Sequence, residues 1–377
     1  MGYILTPEME DLRSMVREFA QTEVKEQCKE YDVTGEFPME LYKKAFEMQL
    51  HLMEIPEEFG GLGLDYVACA AIYEELAKAD AGFATTIMAN CLALKPVLIA
   101  GTPEQIKLFS DVIIPGGFGA FGLTEPSAGS DAGNTKTTAV KDGDEWVLNG
   151  SKCFITNAAY ADIFVIFAMT NKEAGIKGIS AFLVEKSRGG ITIGKEENKM
   201  GIRTSNTADV FLDNVRVPAD HLLGKEGKGF IIAMQTLDLA RPFVGIASVG
   251  IAQRALDEAV AYAKERVTFG KPIIKNQALQ FMMADMDIKI ESARQMCVHT
   301  LELAMAKKPY SREAAIAKCY ASDSAMSVTT DAVQILGGYG YSREYPVEKL
   351  MRDAKIFQIF EGTNQVQRIV ISGALMR

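Results

Sequence analysis

Residues that build metal centres and disulfide frameworks are scarce in this 377-residue sequence. There are three histidines (His51, His221 and His299) and six cysteines, with no C-x-x-C pair and no short cysteine spacing. Zinc sites and small disulfide-linked scaffolds depend on such spacings. The composition therefore excludes a disulfide framework, predicts no metal site and indicates a reducing compartment.

Basic residues are also fewer than acidic ones. The 40 Lys and Arg residues face 49 Asp and Glu residues, which gives 40 − 49 = −9 at pH 7. Proteins that bind nucleic acid or anionic membranes through phosphate groups need an excess of basic residues. The sequence thus predicts neither nucleic acid nor membrane as a partner, while a local basic site for an anionic cofactor stays compatible with it.

No long apolar run is free of polar residues. The segment 81–101 has the length of a membrane span, but four polar residues interrupt it: Thr85, Thr86, Asn90 and Lys95. This pattern predicts a helix buried among other helices. Near the N-terminus, Thr6-Pro7-Glu8 predicts a helix start where a signal peptide would need a basic start and an apolar run. The expected location is the cytoplasm of a bacterium.

The spacing of apolar residues divides the chain into three parts. Up to about residue 114 the spacing is helical, and from about residue 119 it alternates as in strands. Two turn signals, Asp142-Gly143 and Asn149-Gly150, predict a three-stranded meander. Long helical stretches follow from about residue 230, the last over residues 344–357. Because 377 residues also exceed what one core serves, the order predicts an α+β multi-domain chain.

Two neighbouring segments could hold a ligand. Residues 117–122 match G-x-G-x-x-G, but no βαβ unit surrounds them, so we interpret this match as chance. The next segment, residues 124–131, is rich in hydroxyls and small residues. Its amides and hydroxyls suit an anionic or heterocyclic ligand, and they equally suit a plain entry loop into a β domain.

Two segments of the helical C-terminal part also have two interpretations. Arg266 at a helix end could bind a pyrophosphate while Phe269 covers a ring, or the arginine could simply complement the helix dipole. Gly337 and Gly338, in a glycine cluster that follows an apolar stretch, allow close backbone approach to a ligand or merely cap a helix.

Glu361 is the most suggestive acidic residue. It lies between the apolar Ile359-Phe360 and the flexible Gly362-Thr363. An apolar setting raises the pKa of a carboxyl group, which suits a base that removes a weakly acidic proton near neutral pH. Taken alone, the residue could also be an ordinary exposed glutamate at a helix end.

Together these segments resemble the flavin-dependent acyl-CoA dehydrogenase family. The similar stretches occur in family order and are residues 120–131, 149–157, 199–203, 265–271, 334–340 and 351–363. The N-terminal helices fit as well, so the resemblance covers essentially the whole chain. It implies an N-terminal helical bundle (1–117), a central antiparallel β-barrel or sandwich (118–226) and a C-terminal four-helix bundle (227–377). It also implies a homotetramer with one FAD per subunit.

The resemblance further implies which residues bind the cofactor and the substrate. Residues expected around the flavin are Phe121, Leu123, Thr124, Ser130, Phe154, Ile155, Thr156, Thr363 and Gln365. Residues expected to contact the ADP half of a neighbouring subunit's FAD are Arg266, Thr268, Phe269, Gln277, Gln334, Gly337 and Gly338. Residues expected along the acyl-CoA path are Ser130, Asp238, Arg241 and Gly362. Asp238 and Arg241 alone could equally form a helix-surface ion pair. Phe154 departs from the tryptophan common in the family, which puts the flavin potential in doubt.

The reaction implied by the resemblance is α,β-dehydrogenation of an acyl-CoA. Glu361 would remove the α-proton while the β-hydrogen leaves as hydride to flavin N5, and an electron-transferring flavoprotein would take the electrons. The position of Glu361 matches the short-, medium- and several branched-chain members, whereas the isovaleryl and long-chain types carry the base on an earlier helix, so the resemblance implies a short or medium acyl chain. An alternative is the reverse reaction, enoyl-CoA reduction with a bifurcating flavoprotein in an anaerobe. A DNA-associated flavoprotein of the same fold needs a basic C-terminal surface, which the net charge of −9 disfavours.

Overall fold

The computed structural model describes residues 3–376, in which helices precede and follow one main β-sheet. The N-terminal helices are α1 (Pro7–Phe19), α2 (Lys25–Thr34), α3 (Met39–Glu47), α4 (Tyr66–Ala79), α5 (Ala81–Ala100) and α6 (Pro103–Ile113). The sequence Thr102-Pro103-Glu104-Gln105 predicts a capping box at the start of α6, and the structure confirms it: the Thr102 hydroxyl accepts from Gln105 N, and the Gln105 side chain accepts from Thr102 N.

The sheet has eight strands in the order β6-β7-β3-β2-β4-β5-β8, and β1 pairs with β4. Its strands are β1 (Phe118–Gly122), β2 (Thr138–Asp142), β3 (Glu145–Thr156), β4 (Ala161–Met169), β5 (Ile179–Glu185), β6 (Ile191–Ile193), β7 (Thr207–Pro218) and β8 (Leu222–Leu223). The sheet is mixed instead of antiparallel, because β1 and β2 pair with β4 in parallel. A parallel pair needs a long connection between its two strands, and the chain between β1 and β4, which contains β2 and β3, is long enough.

The predicted meander is wrong at its second turn. Strand β3 continues through Asn149 and Gly150, and its register against β7 shifts between Leu148 and Gly150. Gly150 has φ +147°, and a Cβ there would lie 2.6 Å from Thr137 Oγ1. The glycine therefore marks a bulge with close backbone approach, not a hairpin turn. The G-x-G-x-x-G match ends in strand β1, and a loop follows it, so its interpretation as chance is confirmed.

The C-terminal part consists of long helices and a short hairpin. They are α7 (Gly229–Glu265), β9 (Val267–Thr268), β10 (Lys271–Pro272), α8 (Gln277–Met305), α9 (Ser311–Leu336), α10 (Val347–Phe357) and α11 (Asn364–Leu375). Helices α7 to α10 pack together, and α11 packs on α9. The sequence did not predict α11. Its apolar residues Val366, Ile369 and Val370 recur at helical spacing, so a signal was available, although its only buried side chains are the polar Asn364 and Gln367.

The largest core cluster joins the two helical parts, because residues of α4 and α5 share it with residues of α7, α8 and α9. The sheet is buried on both faces: Ile163, Val165 and Phe167 of β4 face one cluster, whereas Phe164 and Ile166 face another. This explains why β4 is apolar throughout. Helices α5 and α7 have the length and composition of membrane spans, but most of each is buried in the fold.

Candidate active site

Glu361 lies in the short loop between α10 and α11. Its backbone is left-handed, with φ +53°, and Gly362 follows with φ +90°. A left-handed non-glycine residue costs of the order of 1–3 kcal/mol and is often found at functional sites. The carboxylate oxygen Oε2 is buried and has no hydrogen-bond partner among residues 3–376. The alternative of an ordinary exposed helix end is thereby excluded.

Burial raises the pKa of Glu361 to about 7. Three cations limit this rise by favouring the carboxylate: Lys318 of α9, Lys95 of α5 and Arg241 of α7. A carboxyl group with a pKa near 7 is partly ionised at neutral pH and is a stronger base than an exposed glutamate. The carboxylate therefore has the properties of a general base inside a largely apolar site.

Arg241 and Asp238 form an ion pair one helical turn apart on α7. The alternative of a surface pair is excluded, because Arg241 is buried. Burial lowers the pKa of Arg241, and Asp238 and Glu361 oppose this shift. Arg241 Nε has no partner among the described residues, so one donor of the guanidinium stays available near the base.

A second buried ion pair joins Lys95 of α5 to Glu54. The Tyr73 hydroxyl donates to Glu54 Oε1 at 3.1 Å, and Lys95 Nζ lies 4.7 Å from the centre of the Phe243 ring. Sequence reasoning treated Lys95 only as a polar interruption of an apolar stretch and missed its site. A lysine inside an apolar helix was the available signal, because such a charge needs a buried partner.

Of the residues predicted around the flavin ring, those of 121–124 and 154–156 lie where β1 ends beside β3. Cys153 N donates to Thr124 O at 3.0 Å. Phe154 is exposed and left-handed, with φ +56°, next to a shift in register of β3. Leu123 and Ile155 instead face the hydrophobic core, so they can offer a cofactor only backbone groups. Phe121 and Thr156 are half-buried.

A buried ion pair between Lys152 and Glu125 holds the segment that follows β1. Lys152 Nζ donates to Glu125 Oε1 at 2.6 Å and to Leu123 O at 3.2 Å. Glu125 also accepts from the backbone N–H groups of Lys136 and Thr137. The polar loop 124–131 is thus anchored at Glu125, whereas Ser130 near its end is exposed.

The residues predicted to bind an ADP group lie at a different place, beside α7, α8 and α9. An open groove of about 610 Å³ is lined by Arg266, Thr268, Gly337 and Gly338, together with Tyr339 and others. The Arg266 guanidinium lies 5.4 Å from the centre of the Tyr339 ring. Gln277 and Gln334 are exposed on α8 and α9 and do not line the groove.

Phe269 stands at the tip of the β9–β10 hairpin and is fully exposed. Its φ is +50° and that of Gly270 is +77°, as in a two-residue turn with both central residues left-handed. The exposed ring is compatible with the predicted contact to a neighbouring subunit's FAD, which stays a prediction.

The remaining predicted residues follow Glu361 in the chain. Thr363 caps α11, since its hydroxyl accepts from Val366 N at 3.2 Å, and Gln365 is exposed. The Gly362 carbonyl accepts from two side chains, Lys318 and Gln367. No group of three or more His, Cys, Asp or Glu residues that could hold a metal occurs within residues 3–376.

Three family models match successive parts of the chain. The acyl-CoA dehydrogenase N-terminal domain matches residues 6–115, the middle domain residues 120–215 and the C-terminal domain residues 227–376. The chain belongs to the acyl-CoA dehydrogenase family. It is therefore an oxidoreductase of the acyl-CoA dehydrogenase type, as predicted, and the helix–sheet–helix architecture agrees with that of the family. The boundaries predicted at residues 117 and 226 stay predictions.

Similar proteins of this family include curated and structurally solved members. A short-chain-specific acyl-CoA dehydrogenase of Clostridium acetobutylicum is 48% identical over 380 residues, covering 100% of both chains. Butyryl-CoA dehydrogenase from Megasphaera elsdenii is 45% identical with a TM-score of 0.97 and 100% coverage of both chains. A chain solved in work on the electron transferring flavoprotein of Acidaminococcus fermentans and electron bifurcation is 50% identical, with a TM-score of 0.97 and 100% coverage of both chains.

Proposed function

We propose that this protein oxidises the Cα–Cβ bond of a short-chain acyl-CoA to the trans-2-enoyl-CoA, with FAD as cofactor and Glu361 as the base. The observation that carries this proposal is the buried Glu361 carboxylate, whose Oε2 has no partner among the described residues. An oxygen that accepts no bond from the protein is free to take a proton from a substrate.

The chemistry follows from the groups around that oxygen. Glu361 removes the α-proton, and its pKa of about 7 makes the carboxylate basic enough near neutral pH. Among residues 3–376, the backbone N–H groups of Glu361 and Gly362 donate no hydrogen bond. A free N–H beside the base can donate to the thioester carbonyl and stabilise the negative charge that develops there. FAD, when bound, supplies the two-electron acceptor that takes the β-hydrogen with its electron pair.

The chain offers residues that fit FAD at two places. At the first, Phe154 presents an exposed ring beside Thr156 and the end of β1. At the second, the groove combines the Arg266 cation with the small residues Gly337 and Gly338, where an added Cβ would meet nothing within 4 Å. Arginine and open glycine backbone suit a pyrophosphate. Use of the second place by a neighbouring subunit's FAD, in a homotetramer, is part of the proposal.

We infer that an electron-transferring flavoprotein accepts the electrons, as the work on the Acidaminococcus chain suggests for a similar protein. That work also concerns electron bifurcation, which favours a second candidate direction. In that direction the protein reduces an enoyl-CoA, and Glu361 returns the proton to the α-carbon. The cytoplasmic location stays a prediction.

Helix α5 supports a short acyl chain as the substrate. Between Ala81 and Val97 every residue of α5 is buried except Met88 and Leu92. These two lie four residues apart on one helix face, so this face of α5 is the one that other side chains cover least. Lys95 is three residues further on the same face and acts on the pKa of Glu361. We propose that Lys95, with its partner Glu54, closes the acyl pocket, because an alkyl chain gains nothing from contact with a buried ion pair.

Replacing the pair by Lys95→Met with Glu54→Gln is expected to open the pocket to longer acyl chains. The glutamine keeps an acceptor for the Tyr73 hydroxyl, and removal of both charges avoids an unpaired ion. The ratio of kcat/KM for octanoyl-CoA to that for butyryl-CoA should rise at least about tenfold, since each methylene in an apolar pocket is worth about 1–3 kcal/mol. The control is Lys107→Met, an exposed lysine of α6. An unchanged ratio would show that the pocket ends elsewhere.

Replacing Arg266 by alanine is expected to weaken retention of FAD. A charge-assisted contact to phosphate is worth about 1.5–3 kcal/mol, so the dissociation constant should rise about 10- to 100-fold. The measurement is the flavin content after gel filtration, followed by titration of the apoprotein with FAD. Arg343→Ala is the matched control, because Arg343 is exposed nearby and does not line the groove. Equal flavin affinity of the two variants would exclude Arg266 from the FAD site.

The experiment that tests the proposed function is an anaerobic titration of the purified flavoprotein with butyryl-, octanoyl- and glutaryl-CoA. Bleaching of the visible flavin band by butyryl-CoA is the expected result. If octanoyl- or glutaryl-CoA bleaches the band instead, the substrate belongs to the class of that thioester and not to the short-chain acyl-CoAs. If no saturated thioester bleaches the flavin band but crotonyl-CoA reoxidises the reduced flavin, the reductive direction is supported. A protein that takes up no FAD would refute the proposal.

A further inference from the structure

Lys318 of α9 is a buried lysine behind the loop that carries Glu361. Its side chain has no solvent exposure. Its ammonium donates to Gly362 O at 2.8 Å and to Asn364 Oδ1 at 2.9 Å. None of the ion pairs within 4.0 Å among the described residues includes it. A buried ammonium bonded only to neutral oxygens is costly, so a specific role is required to explain it.

Side chains of α9 and α11 hold the loop in front of Lys318. Gln367 Nε2 donates to Glu361 O at 3.3 Å and to Gly362 O at 2.8 Å. Asn364 is tied to α9 through Ser322 Oγ at 2.9 Å and Asp323 Oδ1 at 2.7 Å. Lys318 joins these two anchors, because it contacts both the Gly362 carbonyl and the Asn364 side chain. The ammonium thus bonds directly to the segment whose left-handed conformation carries Glu361.

We propose that Lys318 is a positioning residue for the base: it holds the Glu361–Gly362 segment in its left-handed conformation, and its charge stabilises the Glu361 carboxylate. This inference rests on the proposed function, in which Glu361 removes the α-proton. Lys318 touches neither substrate nor cofactor in this scheme and acts only through the loop and through its charge.

The charges around the pair come from four elements. Glu361 faces Lys318 of α9, Lys95 of α5 and Arg241 of α7. Lys318 faces Glu361 of the loop, Arg241 of α7, and Cys319 and Asp323 of its own helix. Burial lowers the pKa of Lys318 to about 8, and Glu361 opposes this shift. Loss of the Lys318 charge leaves two cations near Glu361, so the pKa of Glu361 should rise above about 7 and the active, deprotonated base should form only at higher pH.

Two substitutions separate the bond from the charge. Lys318→Met removes both, whereas Lys318→Gln keeps an N–H donor for the Gly362 carbonyl and removes only the charge. The first measurement is the pH dependence of flavin reduction by butyryl-CoA in stopped flow. We expect the midpoint to rise by about one pH unit in both variants, so that the rate at pH 6 falls about tenfold relative to wild type. The flavin content should not change.

The second measurement does not depend on turnover. Hydrogen–deuterium exchange of the segment 358–368 should be faster in Lys318→Met than in wild type, and close to wild type in Lys318→Gln. Lys355→Met is the control, because Lys355 is exposed near the same loop and donates to Gln358. It should change neither the pH midpoint nor the exchange.

The outcomes distinguish this inference from the proposed function. A wild-type midpoint and wild-type exchange in the Lys318 variants, with an active wild-type enzyme, would overturn the role of Lys318 alone. If Lys318→Met does not fold, Lys318→Gln decides: an unshifted midpoint overturns the electrostatic role. A wild-type flavin that no acyl-CoA reduces and no enoyl-CoA reoxidises would overturn the proposed function and, with it, this inference.

Discussion

Glu361→Gln is expected to retain FAD and to lose turnover of acyl-CoA by at least about 10³-fold. Glutamine has the size of glutamate but cannot accept the α-proton, and a positioned general base contributes about 10²–10⁴-fold to a rate. The measurement is the rate of flavin reduction by butyryl-CoA, together with the visible spectrum of the bound flavin. Glu30→Gln is the matched control, since Glu30 is exposed on α2.

The stability of this variant provides an independent check. Burial raises the pKa of Glu361 from an ordinary value of 4.5 to about 7. The folded protein therefore favours the protonated carboxyl, and this stabilisation is complete below about pH 4.5 and is lost as the pH rises through about 7. Above pH 7 the wild type carries a buried charge that glutamine lacks. We expect the Tm of Glu361→Gln to exceed that of wild type at pH 8 and the difference in Tm to narrow at pH 6.

If Glu361→Gln reduces its flavin with butyryl-CoA at the wild-type rate, the assignment of Glu361 as the base is refuted.

Among the single substitutions proposed for this protein, Lys349→Met is expected to lower the free energy of unfolding most. Lys349 Nζ donates to Asp80 Oδ2 at 2.7 Å and to Asp353 Oδ2 at 2.5 Å, and all three residues are buried. Asp80 also caps α5 and accepts from Thr204, while Asp353 accepts from Ile202 N. Although burial alone would lower it, the pKa of Lys349 is raised well above its ordinary value by Asp353 and Asp80. The lysine thus links all three parts of the chain.

Removing Lys349 leaves two buried carboxylates without their cation. Breaking a buried ion pair by deleting one partner costs about 3–5 kcal/mol of unfolding free energy. Urea unfolding at fixed protein concentration, followed by the fluorescence of Trp146, measures this loss, since Trp146 is the one tryptophan and is buried. Lys43→Met, which alters an exposed pair with Glu40, should leave the midpoint unchanged. A loss below about 1 kcal/mol in Lys349→Met would show that the network is not needed for stability.

Local sequence patterns were sufficient to predict most helices and strands. The capping box at Thr102, the Asp142-Gly143 turn and the helix start at Thr6-Pro7 were predicted from residues close together in sequence, because caps and turns are local properties. The Asn149-Gly150 signal failed, since pairing with β7 makes it a bulge. Helix α11 was missed although Val366, Ile369 and Val370 recur at helical spacing.

The sequence by itself determined the three-part order, the family resemblance and the identity of Glu361 as the candidate base, since these depend on motifs of contiguous residues. Only the tertiary structure decided that this carboxylate is buried without a partner and that Lys318, Lys95 and Arg241 converge on it from three helices. Their positions in sequence are 43 to 266 residues from Glu361. The pKa of a buried group depends on desolvation and on charges close in space, and neither is encoded in local spacing.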